Sequence, residues 1–334
     1  MKVTIFGAGA VGGHIAARLG AGAAAAGLEV AAVARGTQLA AIRERGITLW
    51  RGDERCDARV NATDRPEELG HQDVVVVTLK SSVLPEAAGS IAPLIGPETS
   101  VIFAMNGIPW WYLYRCPDGS APRPDLSNLD PGAVLSRGIG LERVIGCVIN
   151  SANEVIEPGV IRNATFTRNR FTIGEPDGTL SRRLEAISTA FGQAGLDTPV
   201  TGAIREDIWN KLLLNLSTAP ICALTGEPIG VIGRHDELLA VSKAVMAEGL
   251  ATARAHGIAT AVSFEGAYGD RPTSPHKASM LQDLERGRPP EIDGMLRAVQ
   301  AFARAADVAT PHLDTIIALV IEKSRRLALY TGGA

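Results

Sequence analysis

Cysteine is scarce. The chain has four among 334 residues, Cys56, Cys116, Cys147 and Cys222, scattered with no C-x-x-C pair. That spacing excludes a disulfide framework and a cysteine-based zinc site, so no metal is expected and the thiols read as reduced groups of a cytoplasmic protein. A dominant charge sign is also missing: 33 Lys and Arg against 36 Asp and Glu leave a net charge of −3. No basic footprint for nucleic acid results, and no block of like charges suggests a tail. Every apolar run of about eighteen residues is interrupted by Gly, Pro or charge, which argues against a membrane span. Lys2 ahead of an alanine-rich stretch imitates a secretion leader, but glycines break that stretch and have another explanation below. The chain shows no internal repeat.

What remains is a chain with 46 % hydrophobic residues, long enough for two cores and two domains. The first stretch, Met1 to Gly12, is a short apolar strand running into Gly7-Ala8-Gly9-Ala10-Val11-Gly12. In this G-x-G-x-x-G, Gly7 permits the tight turn, Gly9 lets backbone approach a pyrophosphate, and Gly12 allows close helix–strand packing. A helix predicted from about His14 to Ala26 points its N-terminal N–H groups at the phosphates. The strand–turn–helix context makes the motif far more specific than its regular expression. The next strand, Glu29 to Ala34, ends in Arg35 with no acid beside it. An acid there would accept from a ribose 2′-OH; a guanidinium fork suits a 2′-phosphate, which favours NADP over NAD.

Strand and helix patterns then alternate. Asp73–Leu79 reads as a strand buried on both faces, with Lys80 just beyond its end. A helix from about Val83 to Ile95 precedes a strand at Ser100–Ala104, which empties into Asn106-Gly107-Ile108-Pro109. The glycine loop, Arg35, Lys80 and Asn106 all fall at carboxyl ends of strands, where open parallel sheets bind ligands. Trp110 to Gly140 reads as a long surface excursion whose aromatics anchor it to the body. Strands at 144–150, 155–157, 159–162 and 171–174 are expected to extend the sheet, partly antiparallel, before a helix at about 180–194. From Gly202 the pattern is helical: 203–218, 237–256, 275–286, 291–306 and 311–327, with Ser274-Pro275 as an N-cap and first helical residue. The expected division is an α/β domain over 1–202 and an all-α domain over 203–334.

Within the first of these helices Lys211 and Asn215 stand at i and i+4 among leucines and share a face, able together to hold and polarise a small polar substrate. Glu291 follows Pro289-Pro290 at another helix start, where a carboxylate complements the dipole. GAGAVG, Arg35, TLK at 78–80, NGIP at 106–109, WNKLLLN at 209–215 and SMLQDLERGRPPEID at 279–293 together resemble the ketopantoate reductase family, in the right order over nearly the whole chain.

The resemblance implies a Rossmann-like NADP-binding domain followed by a helical domain similar to that of 6-phosphogluconate dehydrogenases. It implies reduction of 2-dehydropantoate to pantoate by NADPH in pantothenate and coenzyme A biosynthesis. Lys211 matches the family's catalytic lysine and Glu291 the acid that positions it or the substrate. Asn215 and Ser279 match substrate-binding positions, and His276 stands where an asparagine is common. Arg35 and Lys80 match contacts to the 2′-phosphate end, with residues 7–12 as the cofactor loop. Asn106 matches an asparagine near both nicotinamide and substrate. Ala219 replaces a frequent second asparagine on the lysine helix. Ala219 and the aromatic excursion, with His276, make reduction of a different branched or bulky 2-oxo acid the alternative; a catalytically silent NADP-binding regulator is a further one. The expected partner is a small 2-oxo acid, and pairing of helical domains makes a homodimer a reading to test.

Overall fold

The computed structural model describes residues 1–117, 122–165, 169–263 and 275–332. Ser274, the expected N-cap, lies outside them. The chain forms two compact units: Met1–Met105 with Tyr114–Cys116 and Gly132–Ile204, and Asn106–Leu113 with Pro117–Pro131 and Arg205–Ala334. Part of the aromatic excursion thus belongs with the helical unit, because Trp110, Trp111 and Tyr112 are buried there.

In the first unit β1 (Lys2–Phe6), α1 (Ala10–Ala26), β2 (Glu29–Val33) and α2 (Gly36–Arg45) open a doubly wound fold. They are followed by β3 (Ile47–Arg51), β4 (Glu54–Ala58), β5 (Asn61–Thr63), β6 (Gln72–Val77), α3 (Leu84–Ile91) and β7 (Ile95–Ala104). After α4 (Val134–Ile139) come β8 (Val144–Asn150), β9 (Asn153–Glu157), β10 (Val160–Asn163), β11 (Arg170–Gly174) and α5 (Arg182–Gln193). The main sheet has the order β11-β8-β7-β6-β1-β2-β5 and is parallel except for β11 against β8. Strand order reverses beside β1, so the crevice at its carboxyl end is the topological switch point. The all-valine run of β6 is buried between neighbours on both sides, as continuous β-branched runs require.

The expectation that every later strand extends the main sheet is corrected by the structure. Strands β9 and β10 do not extend the main sheet; they join β3 and β4 in a second sheet of order β4-β3-β10-β9. The reason is the small-residue surface of α1. A Cβ at Gly13 would lie 2.7 Å from Ile161 Cδ1 of β10, and one at Gly20 would lie 3.0 Å from Ala58 Cβ of β4, so α1 accepts this sheet as a cover at a distance no larger residue permits. Helix α1 also begins at Ala10, one turn before the expected start.

The second unit contains α6 (Ile204–Thr225, its first residue shared with the other unit), α7 (Ile229–Ile232), α8 (Asp236–Ala255) and α9 (Ser279–Glu285). A π-helical turn, Asp293–Arg297, leads into α10 (Ala298–Ala305), and α11 (Pro311–Arg326) follows. No strand occurs among its described residues. Helix α6 runs past the expected end at 218 and through Pro220. Proline there removes one ladder donor, and nearby hydroxyls engage the same stretch of backbone: Thr218 Oγ1 donates to Leu214 O at 2.8 Å and Ser242 Oγ to Ser217 O at 2.6 Å. Helix α9 starts at Ser279 and not at Pro275; residues 275–277 are exposed and non-helical. The α6 face bearing Trp209, Leu212, Leu213 and Leu216 is almost wholly buried, and Gly249 of α8 packs so closely that a Cβ would meet Leu213 Cδ2 at 2.7 Å. No helix among the described residues is long and apolar enough to cross a membrane.

Candidate active site

In the first unit the glycine loop is held from three sides. Gly7 has φ +103°, a conformation L side chains rarely adopt. The amides of Gly7 and Ala8 both donate to Val33 O, at 3.0 and 3.3 Å, tying the loop to the end of β2. Thr78 Oγ1 donates to Gly7 O at 2.5 Å, and Gln38 Nε2 to Ala8 O at 2.7 Å. A Cβ on Gly12 would stand 2.0 Å from Gly7 O, so strand and helix meet here only through glycine. A Cβ on Gly9 would meet nothing within 4 Å. The α1 ladder begins with Gly13 N–H donating to Gly9 O, which leaves the amides of Ala10, Val11 and Gly12 ahead of the first rung. No acid stands in that first turn. Open space beside a positive helix end suits a pyrophosphate.

Arg35 is exposed, two residues beyond the carbonyl that anchors the loop. Lys80 is half-buried just past β6. These two cations and the loop amides fit a dinucleotide carrying a 2′-phosphate. Gln38 has no signature in sequence and Thr78 only its place in TLK; a polar residue at either position is ordinary until the loop carbonyls are seen to need donors.

The helical unit contains a separate constellation. Lys211 Nζ donates to Asn106 Oδ1 at 2.7 Å, and Asn106 Nδ2 donates to Glu291 Oε2 at 3.3 Å. An amide with its oxygen toward an ammonium and its nitrogen toward a carboxylate is in the one orientation that satisfies both neighbours. Glu291 is only 7 % exposed. A buried carboxylate and an ammonium joined through an amide keep their charges compensated. Such an ammonium can pass a proton to an oxygen acceptor and be restrained afterwards by the same amide.

Each member has a local reason for its place. Lys211 lies on α6, whose first turn carries Glu206 and Asp207 at the positive helix end. Glu291 is held between Pro289-Pro290, which restrict the backbone before it, and the π turn after it. Asn106 depends on Gly107, which has φ +76° and whose Cβ would lie 2.5 Å from Gly294 O. The next residue, Ile108, donates its N–H to that same Gly294 O at 2.8 Å. In the π turn Ala298 N–H reaches back to Asp293 O, five residues away. Widened turns of this kind are frequent at functional sites. Further on, Tyr112 Oη accepts from Trp209 Nε1 at 2.9 Å, and Tyr112 O accepts from Arg205 Nη2 at 2.9 Å. Phe302 packs edge-on against both aromatic rings. Thus the loop bearing Asn106, the helix bearing Lys211 and the segment after Glu291 are fastened to one another.

Asn215 is half-buried one turn after Lys211. Ser279 is exposed at the start of α9, and His276 is exposed in the preceding stretch, its carbonyl accepting from Ile229 N–H at 3.0 Å. Ala219 is buried in the helical core at 2 % exposure. Gly107, Gly294, Tyr112, Arg205 and Trp209 are the supporting residues that sequence reasoning missed. Gly107 and Trp209 lie within NGIP and WNKLLLN, whereas Gly294, Tyr112 and Arg205 lie outside every motif, and contacts across 93 or 97 residues leave no local pattern.

A glycine loop on a doubly wound sheet, with a separate helical unit holding a lysine, an amide and an acid in contact, defines a dinucleotide-dependent oxidoreductase. Residues 3–109 match the family described as Ketopantoate reductase PanE/ApbA, and residues 203–324 match its C-terminal counterpart. A relative from Mesorhizobium japonicum named 2-dehydropantoate 2-reductase is 42 % identical over 99 % of both chains. A crystal structure of a candidate ketopantoate reductase from Ralstonia solanacearum MolK2 superimposes with TM-score 0.86 at 36 % identity, covering 98 % of this chain and 99 % of the other. That of 2-dehydropantoate 2-reductase from Geobacter metallireducens gives 0.82 at 26 % identity, over 97 % and 100 %. The chain belongs to the ketopantoate reductase family.

Proposed function

We propose that this protein reduces 2-dehydropantoate to pantoate with NADPH, in pantothenate and coenzyme A biosynthesis. The observation that carries this reading is the Lys211–Asn106–Glu291 contact set in a chain 42 % identical to a 2-dehydropantoate 2-reductase. Residues 1–202, Asn106 among them, bind the dinucleotide, and 203–334 bind the substrate, which Asn106 also contacts. When bound, NADPH supplies the hydride to the 2-oxo carbon. Lys211 donates the proton that the ketone oxygen gains as its negative charge develops, so that hydride and proton together give the 2-hydroxy acid. Asn106 and Glu291 hold the ammonium in place before transfer. Asn215, Ser279 and His276 contact the substrate's carboxylate and hydroxyl groups. Residues 7–12 cradle the pyrophosphate, and Arg35 and Lys80 neutralise the 2′-phosphate. The enzyme works on a small molecule in the cytoplasm, without nucleic acid, and as a homodimer; sedimentation tests the last point.

The test is steady-state turnover of NADPH, and in parallel NADH, with 2-dehydropantoate and a panel of branched and bulky 2-oxo acids. Selective turnover of 2-dehydropantoate supports the reading. A kcat/KM no better than that for other acids assigns the site to a different substrate, and tight NADPH binding without any turnover would leave a silent nucleotide-binding protein.

A further inference from the structure

The segment after α11 reaches back to the π turn. Ala328 and Leu329 fold onto the end of that helix, their N–H groups donating to Arg325 O and Ser324 O at 2.9 and 2.8 Å. This curl carries Tyr330, whose Oη donates to Asp293 Oδ1 at 2.8 Å. Burial, with Asp293 second, pushes the phenol up to about 12, so it remains a proton donor across the working pH range. Asp293 opens the π turn, two residues after Glu291, and its carbonyl takes the N–H of Ala298. The next carbonyl, Gly294 O, is the one that holds Ile108 and bounds Gly107. A π turn is a rare and locally loosened geometry that persists where the surroundings hold it.

We infer that Tyr330 is a positioning residue for the reduction, acting through Asp293 and the π turn on Glu291 and on the loop that carries Asn106. This rests on the proposed function for its kinetic consequence, though not for its structural one. Tyr330 touches neither Lys211 nor Asn106 through any bond described above; its effect passes along the Asp293–Gly294–Ile108 backbone. Arg297 Nε lies 4.0 Å from Asp293 Oδ1 and also acts on the phenol, so Asp293 and Tyr330 share one guanidinium.

The experiment compares wild type with Tyr330→Phe, Asp293→Ala, Asp293→Asn and the Tyr330→Phe/Asp293→Ala double variant. Two readouts are taken on each: kinetics on whichever 2-oxo acid wild type reduces fastest, and hydrogen exchange of the 106–113 backbone. Tyr330→Phe and Asp293→Ala are expected to lower kcat about tenfold with KM for NADPH unchanged. The double variant is expected to be no slower than Asp293→Ala, because both changes break one contact. Asp293→Asn keeps an oxygen acceptor for the phenol and stays within about twofold of wild type. Exchange at 106–113 accelerates in Tyr330→Phe. An unchanged kcat in Tyr330→Phe, or strictly multiplicative losses in the double variant, overturns the inference. If wild type reduces no 2-oxo acid, the proposed function fails, and exchange alone decides: acceleration upholds the link and unchanged protection overturns it.

Discussion

Replacing Gly107 by alanine tests the architecture of the helical unit at its tightest point. The glycine has φ +76°, and an added Cβ would lie 2.5 Å from Gly294 O, 2.6 Å from Gly294 C and 3.0 Å from Met295 N. All three are backbone atoms, so no flexible side chain can yield. A left-handed alanine costs about 1 to 2 kcal/mol, and losing the Ile108–Gly294 bond adds about 1 kcal/mol. Relieving the clash moves residues 106–108 by a large fraction of an ångström, and a 1 Å error in a reacting constellation costs roughly a hundredfold. The expected variant folds, melts several degrees lower and retains about one per cent of kcat. NADPH affinity, governed by the separate glycine loop, should change little. Steady-state kinetics, thermal melts and NADPH titration on the same sample check each statement. A Gly107→Ala enzyme with wild-type kcat would refute the idea that this contact positions Asn106.

Gly9→Ala is the mirror case: its Cβ meets nothing within 4 Å, so the melting temperature should hold while NADPH affinity falls at least tenfold, by titration. Arg35→Asp should raise the NADH/NADPH ratio of kcat/KM by removing a cation and adding a repelling carboxylate; an unchanged ratio removes Arg35 from that role. His14, buried on α1 with Nδ1 2.8 Å from Asn153 Oδ1, is held by burial down to about 4 from the usual 6.5. The fold therefore favours the neutral ring. Its stability contribution is intact above pH 6.5 and is lost as pH falls toward about 4, amounting to roughly 3 kcal/mol. Denaturant titrations at several pH values should show a shallower acid loss in His14→Gln than in wild type.

The parts of the fold governed by local rules were legible. The G-x-G-x-x-G turn, the valine run of β6 and the apolar stripe of α6 each declare themselves within a dozen residues. Sheet membership was not. Val160–Asn163 has the composition of any half-buried strand, and only the small-residue face of α1 decides that it covers that helix. The sequence predicts an ordinary helix from 291 where the structure has a π turn, because a one-residue change of register has no compositional mark. Lys211 and Glu291 drew attention by spacing and by resemblance. The amide between them comes from a loop 105 residues before the lysine and 185 before the acid, distances over which no periodicity speaks.

The most direct measurement is NADPH oxidation by wild type and Lys211→Ala, with 2-dehydropantoate beside other 2-oxo acids. The account predicts rapid, 2-dehydropantoate-selective oxidation by wild type and a fall in kcat of about a hundredfold to ten-thousandfold in the variant, with NADPH still bound. Turnover in Lys211→Ala within a few-fold of wild type would contradict it, because the proton would then come from elsewhere.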